Sequence, residues 1–149
     1  MREALACIAL CVGGMQHQVA HHRYYLFESC DSGRAWHIED LRELLNHFGW
    51  SVPVACCAVG LRDVVSGDLF GKMRFCSNSY MIMLKLSTFQ CTGGHVHEVV
   101  QGSSGGVKRS VQSQKYTPRL CHAILQGMVI QLEVDEIQEQ VGKVRVLLV

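Results

Sequence analysis

The sequence predicts an α/β domain: part of an open sheet with flanking helices, followed by an irregular Cys/His-containing C-terminal half. Three observations predict it. Helical and strand-like patterns alternate through the first sixty residues, the order that lays parallel strands under crossover helices. The 149 residues are 48% hydrophobic, enough to build a core in one domain of ordinary size. Only 18% are charged, below the ~25% usual for soluble domains, which excludes a disordered, highly solvated chain.

The first element is a helix over about 2–20. Leu5, Ile8, Val12, Met15 and Val19 recur at helical spacing, with a weak point at Gly13-Gly14. Arg2 followed by an apolar stretch imitates a signal peptide, but Glu3 spoils the positive start and no A-x-A site follows. An intracellular chain, cytoplasmic or nuclear, is expected. No apolar run approaches the ~18 residues of a membrane-spanning helix.

Tyr24–Phe27 reads as a buried strand, ended by the turn-prone segment 29–33. A second helix carries Ile38, Leu41, Leu45 and Phe48 on one face. Its first turn is acidic, His47 stands in its last turn, and Gly49 lies just past its end, as the helix dipole and C-cap favour. Val52–Val59 is uncharged and reads as one strand covered on both faces. Residues 64–69 read as a hairpin turn into an alternating strand over Lys72–Phe75. Ser77 or Ser79 is placed to cap a helix over 80–86.

Residues 91–100 hold a Cys/His cluster and a short strand. The Gly/Ser-rich basic segment 101–115 reads as a mobile loop. Thr117-Pro118 is a cap followed by proline at the first helical position, so a helix should run from there to about Gly127. Beyond it Ile130, Leu132 and Val134 alternate with polar residues. Val144, Val146 and Val149 then suggest a final strand, making 129–149 a strand-rich tail. No internal repeat is present.

Eight cysteines are too sparse for a small disulfide scaffold, so most are expected to be reduced and buried. Cys56 and Cys57 are adjacent and cannot face the same side of a strand. Cys7 and Cys11 share a helix face with no second pair, a packing arrangement. The formal net charge of +1 conceals an uneven distribution. Residues 1–68 carry 5 Lys/Arg against 8 Asp/Glu, residues 69–132 carry 7 against 1, and residues 133–149 carry 2 against 4.

Several strings stand in a telling order: Arg23–Glu28, Ala35-Trp36, Cys57–Leu61, Lys72–Asn78, Cys91-x-x-x-His95-x-His97 and Tyr116–Ile124. Together they resemble the distal part of the cytosine-DNA-methyltransferase-like domain carried in retroelement-type polyproteins of protists and fungi. The resemblance covers roughly 1–128 and implies a truncated Rossmann-like sheet. It places Glu28 where the family's Glu-x-Pro carboxylate contacts the target base. The end of a strand is physically suited to that role, because open α/β sheets bind ligands there.

This chain departs from the pattern, reading Glu28-Ser29-Cys30 without the proline. It also carries neither the glycine-rich cofactor turn nor the Pro-Pro-Cys nucleophile segment. S-adenosylmethionine binding is therefore not expected, and the chain alone is expected to be catalytically inactive. Two alternatives stand beside that reading: a small intracellular interaction domain with no metal or nucleic-acid role, and part of an active methyltransferase completed by an upstream segment.

Two further constellations carry chemistry. Cys91, His95 and His97 offer three zinc donors in seven residues, and on a strand the two histidines face one side. The fourth ligand is expected from Cys121 or His122, with Cys121 preferred; the alternative is surface histidines beside a buried cysteine. Lys72, Arg74, Lys108, Arg109 and Lys115 lead the basic segment, with Lys85 and Arg119. They are candidates for weak, non-specific contact with a nucleic-acid backbone. Few aromatics interleave with them, so base stacking is not indicated. The segment 102–108 lacks the order of a P-loop, and its serines have no G-x-S-x-G context. Open sheet edges left by missing strands would invite self-association.

Overall fold

A computed structural model describes residues 2–67 and 69–147. The first helix, α1 (Arg2–Ala20), forms as its apolar stripe requires, burying Val12 and Met15 and leaving Leu5 exposed. Strand β1 (Leu26–Cys30) starts two residues later than expected and takes in the first two residues of the segment read as a turn, which then turns at 31–32. A 3-10 turn at Arg34–His37 leads into α2 (Glu39–Phe48). The buried face of α2 is set by Leu41 and Leu44, with Phe48 exposed.

The expected strand over Val52–Val59 divides in two. Strand β2 (Trp50–Ala55) gives way to a 3-10 turn at Cys56–Val59, closed by Gly60 in the left-handed region at φ 76°. Glycine takes that conformation without a Cβ penalty. Residues 64–66 form a turn but no hairpin. The short β3 (Leu69–Phe70) pairs instead with β5 (His97–Glu98), in parallel. Asp68, within the expected turn, lies outside the described residues.

Strand β4 (Lys72–Ser77) is the centre of the main sheet, whose order is β1-β4-β2. It runs antiparallel to both neighbours, pairing Glu28 with Phe75 on one side and Val52 with Phe75 on the other. Neighbouring parallel strands are therefore not what the first sixty residues build. β1 and β2 do point the same way, but β4 occupies the space between them. Local patterns report direction and facing; they carry no information about a strand inserted from later in the chain.

Each face of this sheet is covered. Met73 and Phe75 join Val54, Ile82, Leu86 and Leu120 on one side, while Cys76 joins Val12, Met15, Tyr25 and Leu41 on the other. The period-2 alternation along β4 thus sorts its side chains into two cores. Helix α3 (Tyr80–Ser87) begins at Ser79, whose Oγ accepts from the Ile82 N–H at 3.3 Å.

The last element corrects the largest expectation. Segment 101–115 is a two-stranded hairpin, β6 (Ser103–Ser104) and β7 (Val107–Lys108), followed by a single helical turn, α4 (Arg109–Gln112). From Pro118 a 30-residue helix, α5 (Pro118–Leu147), continues through the supposed strand-rich tail. Its start is as read, with the Thr117 Oγ accepting from the Leu120 N–H at 3.3 Å. The residues after Gly127 alternate over six positions, yet Ile130, Val134, Ile137 and Val141 also recur at 4-3-4 spacing among Gln and Glu, good helix formers. Gly127 does not stop the helix because its role is packing against α3. The tail's last strand residue, Val149, lies outside the described residues. The chain is thus a mixed helix–strand protein with small sheets, mainly antiparallel.

Candidate metal centre and the adjoining groove

Two chain segments meet at the end of β2. The 3-10 turn directs Cys56 into the core, where it is 1% exposed, and leaves its neighbour Cys57 half-buried on the outer side. Opposite stands the loop from Cys91 to His97. Gly93 and Gly94 both adopt left-handed φ, 79° and 78°, and the Gly93 N–H donates to the Cys91 Sγ at 3.3 Å. That double turn folds His95 back over Cys91, and β5 fixes His97 through its pairing with β3.

The result is four donor atoms, from Cys57, Cys91, His95 and His97, all within 4.8 Å of one another. The Cys91 Sγ lies 3.6 Å from the Nε2 of His95 and 3.6 Å from that of His97. The two Nε2 atoms are 2.9 Å apart. Zinc bond lengths of ~2.3 Å to sulfur and ~2.05 Å to nitrogen give a tetrahedron with edges of roughly 3.3–3.8 Å. The two sulfur–nitrogen distances match that tetrahedron, and the nitrogen–nitrogen distance is a few tenths of an ångström short of its edge. The group could therefore hold a divalent cation once the two imidazoles part slightly. Burial, and then the neighbouring Cys91, push the Cys57 thiol up; a bound cation offsets this by taking the thiolate.

Three of the four expected ligands are thus brought together, and the fourth is replaced. Cys121 lies exposed in the first turn of α5, outside this group. The signal for Cys57 was the adjacent cysteine pair: one sulfur facing the core requires the other to face out.

Glu28, expected to end the strand, is instead the middle residue of β1, paired with Phe75 of β4, because the strand runs on to Cys30. Its carboxyl is held above the ordinary range by burial, and its Oε2 is a buried atom without a hydrogen-bond partner. It lines a cavity of about 220 Å³ with Lys72, Met73, Val100, Ser110 and Ser113. A larger groove of about 550 Å³ shares Cys30, Lys72, Val100 and Ser110 and extends to His97 and Glu98. Of the candidate metal ligands only His97 reaches this groove, which adjoins the Glu28 cavity through those four shared residues.

The basic residues are less free than their number suggests. Arg74 is bound to Asp31 at 2.8 Å, and Arg109 holds both Asp63 at 3.0 Å and Glu98 at 3.2 Å. Lys72, Lys108 and Lys115 are exposed. Asp63 organises the turn that follows it by accepting from the backbone N–H groups of Val65 and Ser66. Burial works to raise its carboxyl, but those N–H donors and Arg109 outweigh it and hold the group down at about 2.

A carboxylate whose folded pKa lies below its unfolded value, ~3.9, stabilises the fold above that value and loses the contribution as pH falls toward the folded one. Denaturant unfolding between pH 5 and pH 2 should therefore show an acid-sensitive limb that Asp63→Asn flattens. An unchanged limb in the variant would show that Asp63 plays no part in it.

Among the described residues no helix is long and apolar enough to cross a membrane. Comparison with protein-family models, with curated proteins and with solved structures finds no match for the chain.

Proposed function

We propose that the chain is a zinc-stabilised domain, related to the distal part of retroelement DNA-methyltransferase-like modules, that contacts nucleic acid weakly and turns nothing over by itself. The observation that carries the metal reading is the Cys57/Cys91/His95/His97 tetrad, four protein donors that complete a structural zinc set. Such a site closes the loop 91–97 onto the end of β2 and, through His97, borders the groove that adjoins the Glu28 cavity. The sequence supplies no glycine-rich cofactor turn and no Pro-Pro-Cys segment, so no methyl-transfer step is assigned to it.

Nucleic-acid contact in this reading falls to Lys72, Lys108 and Lys115, because Arg74 and Arg109 are engaged by carboxylates. Three phosphate contacts predict a log–log salt slope of roughly −2 to −3 on duplex DNA. Anisotropy titrations with a labelled duplex should give that slope, with affinity reduced about equally across sequences by Lys108→Glu and Lys115→Glu. Absence of binding at 50 mM salt, or affinity indifferent to salt, would leave the interaction-domain reading in its place. Self-association through the edge of β1 not paired to β4 belongs to the same proposal, and sedimentation during those titrations reports it.

A second reading draws on the orphaned Glu28 Oε2, which suits a carboxyl held ready for a base edge. In that reading an upstream segment with the missing motifs completes an enzyme, and Glu28→Gln removes base binding while zinc content stays unchanged.

A further inference from the structure

We infer that Cys57 and Cys91 are a redox-modifiable pair, forming a disulfide under peroxide oxidation and releasing the bound metal as they do so. The release rests on the zinc reading above; the pairing itself does not. Their sulfur atoms lie within 4.8 Å of each other. They belong to segments that approach only through the fold, the 3-10 turn after β2 and the loop before β5.

Closing to the ~2.05 Å of an S–S bond asks for movement of one segment. The stretch from Cys91 to Val96 holds no helix or strand and contains two glycines at positive φ, so it can supply that movement. The remaining cysteines are poorly placed to compete. Cys56 and Cys76 are buried in the two cores, Cys11 is half-buried against the second of them, and Cys7, Cys30 and Cys121 are exposed outside the donor group.

The chemistry balances with hydrogen peroxide as the named oxidant. One thiolate attacks a peroxide oxygen, forming an S–O bond and breaking the O–O bond, and hydroxide leaves to become water after protonation. The second thiolate attacks the resulting sulfenic sulfur, forming the S–S bond and expelling the second oxygen as water. Two sulfurs each lose one electron, one peroxide is reduced to two waters, and two protons are consumed. A cation held by two thiolates and two imidazoles then retains only the imidazoles and is released.

The experiment treats the zinc-loaded full chain with hydrogen peroxide, reading metal release with a chromogenic chelator and thiol pairing by non-reducing peptide mass mapping after alkylation. The expected result is one zinc released for two thiols lost, a crosslinked pair of peptides containing Cys57 and Cys91, and recovery of both on adding dithiothreitol and zinc. A variant in which Cys7, Cys11, Cys30 and Cys121 are all replaced by serine should behave in the same way. Zinc retained while other cysteines oxidise, or zinc lost with no Cys57–Cys91 crosslink, overturns the inference and leaves the zinc reading standing. If the chain takes up no zinc yet still forms the crosslink, the pairing holds and the zinc reading falls.

Discussion

Cys57→Ser is expected to weaken zinc binding by about 10²–10³-fold, whereas Cys121→Ser keeps the affinity of the parent chain. The contrast separates the ligand set that the fold assembles from the one that chain spacing favours. Structural zinc contributes about 10–16 kcal/mol in small zinc-dependent peptides. Shared among four ligands, that is roughly 2.5–4 kcal/mol each, or about 10²–10³ in affinity. Competition titration against a chromogenic chelator reads such a change directly.

A chelator should also lower the melting temperature of the parent chain and of Cys121→Ser, while Cys57→Ser, which holds its metal more weakly, shows a smaller drop. This follows from mass action: an ion that binds only the folded state stabilises it in proportion to the logarithm of its occupancy. Equal zinc affinity in Cys57→Ser and the parent would remove Cys57 from the site. Loss of zinc from Cys121→Ser would restore the ligand that the sequence favoured.

The reason Cys57 was not legible lies in how its position is produced. Cys91, His95 and His97 fall within seven residues, so their convergence needs only a tight turn, and Gly93-Gly94 announces one. Cys57 arrives from a different part of the chain, and its approach depends on β2 breaking into a 3-10 turn after Ala55. An unbroken strand to Val59 hides that break. The same limit governs the sheet. Ser79 and Thr117-Pro118 mark their helices because a cap acts within three residues of itself, and both helices begin where those residues say. The insertion of β4 between β1 and β2 rests on non-local pairings, and no local pattern in 24–59 encodes it. The tail failed for another reason: Ile130–Asp135 satisfies period 2 and period 3.6 at once, and only the longer run to Val141 decides between them.

That long helix is also where a single methyl group should have its largest effect. Gly127 faces α3 so closely that a Cβ placed on it would stand 2.6 Å from the Ile82 Cα and 2.9 Å from the Met81 carbonyl oxygen. These are backbone atoms, which cannot swing aside as a side chain can, so α5 or α3 must shift. Gly127→Ala gains ~0.5–1 kcal/mol of helix propensity. Against this it incurs an overpacking cost of about 1–3 kcal/mol, and the upper part of that range is expected where the obstacle is backbone.

Gly14→Ala makes the identical chemical change in α1, where nothing lies within 4 Å of the new methyl. It should keep the propensity gain whole and raise stability by ~0.5–1 kcal/mol. Opposite signs from one substitution isolate packing from propensity, and urea unfolding of both variants measures them on one scale. The consequence reaches the metal centre as well. The Thr117 hydroxyl at the start of α5 donates to the Val59 carbonyl at 2.8 Å, tying this helix to the turn that carries Cys57. A displaced α5 should therefore weaken zinc retention in Gly127→Ala but not in Gly14→Ala. A Gly127→Ala protein as stable as its parent would mean that α3 and α5 do not approach as closely as 2.6 Å implies.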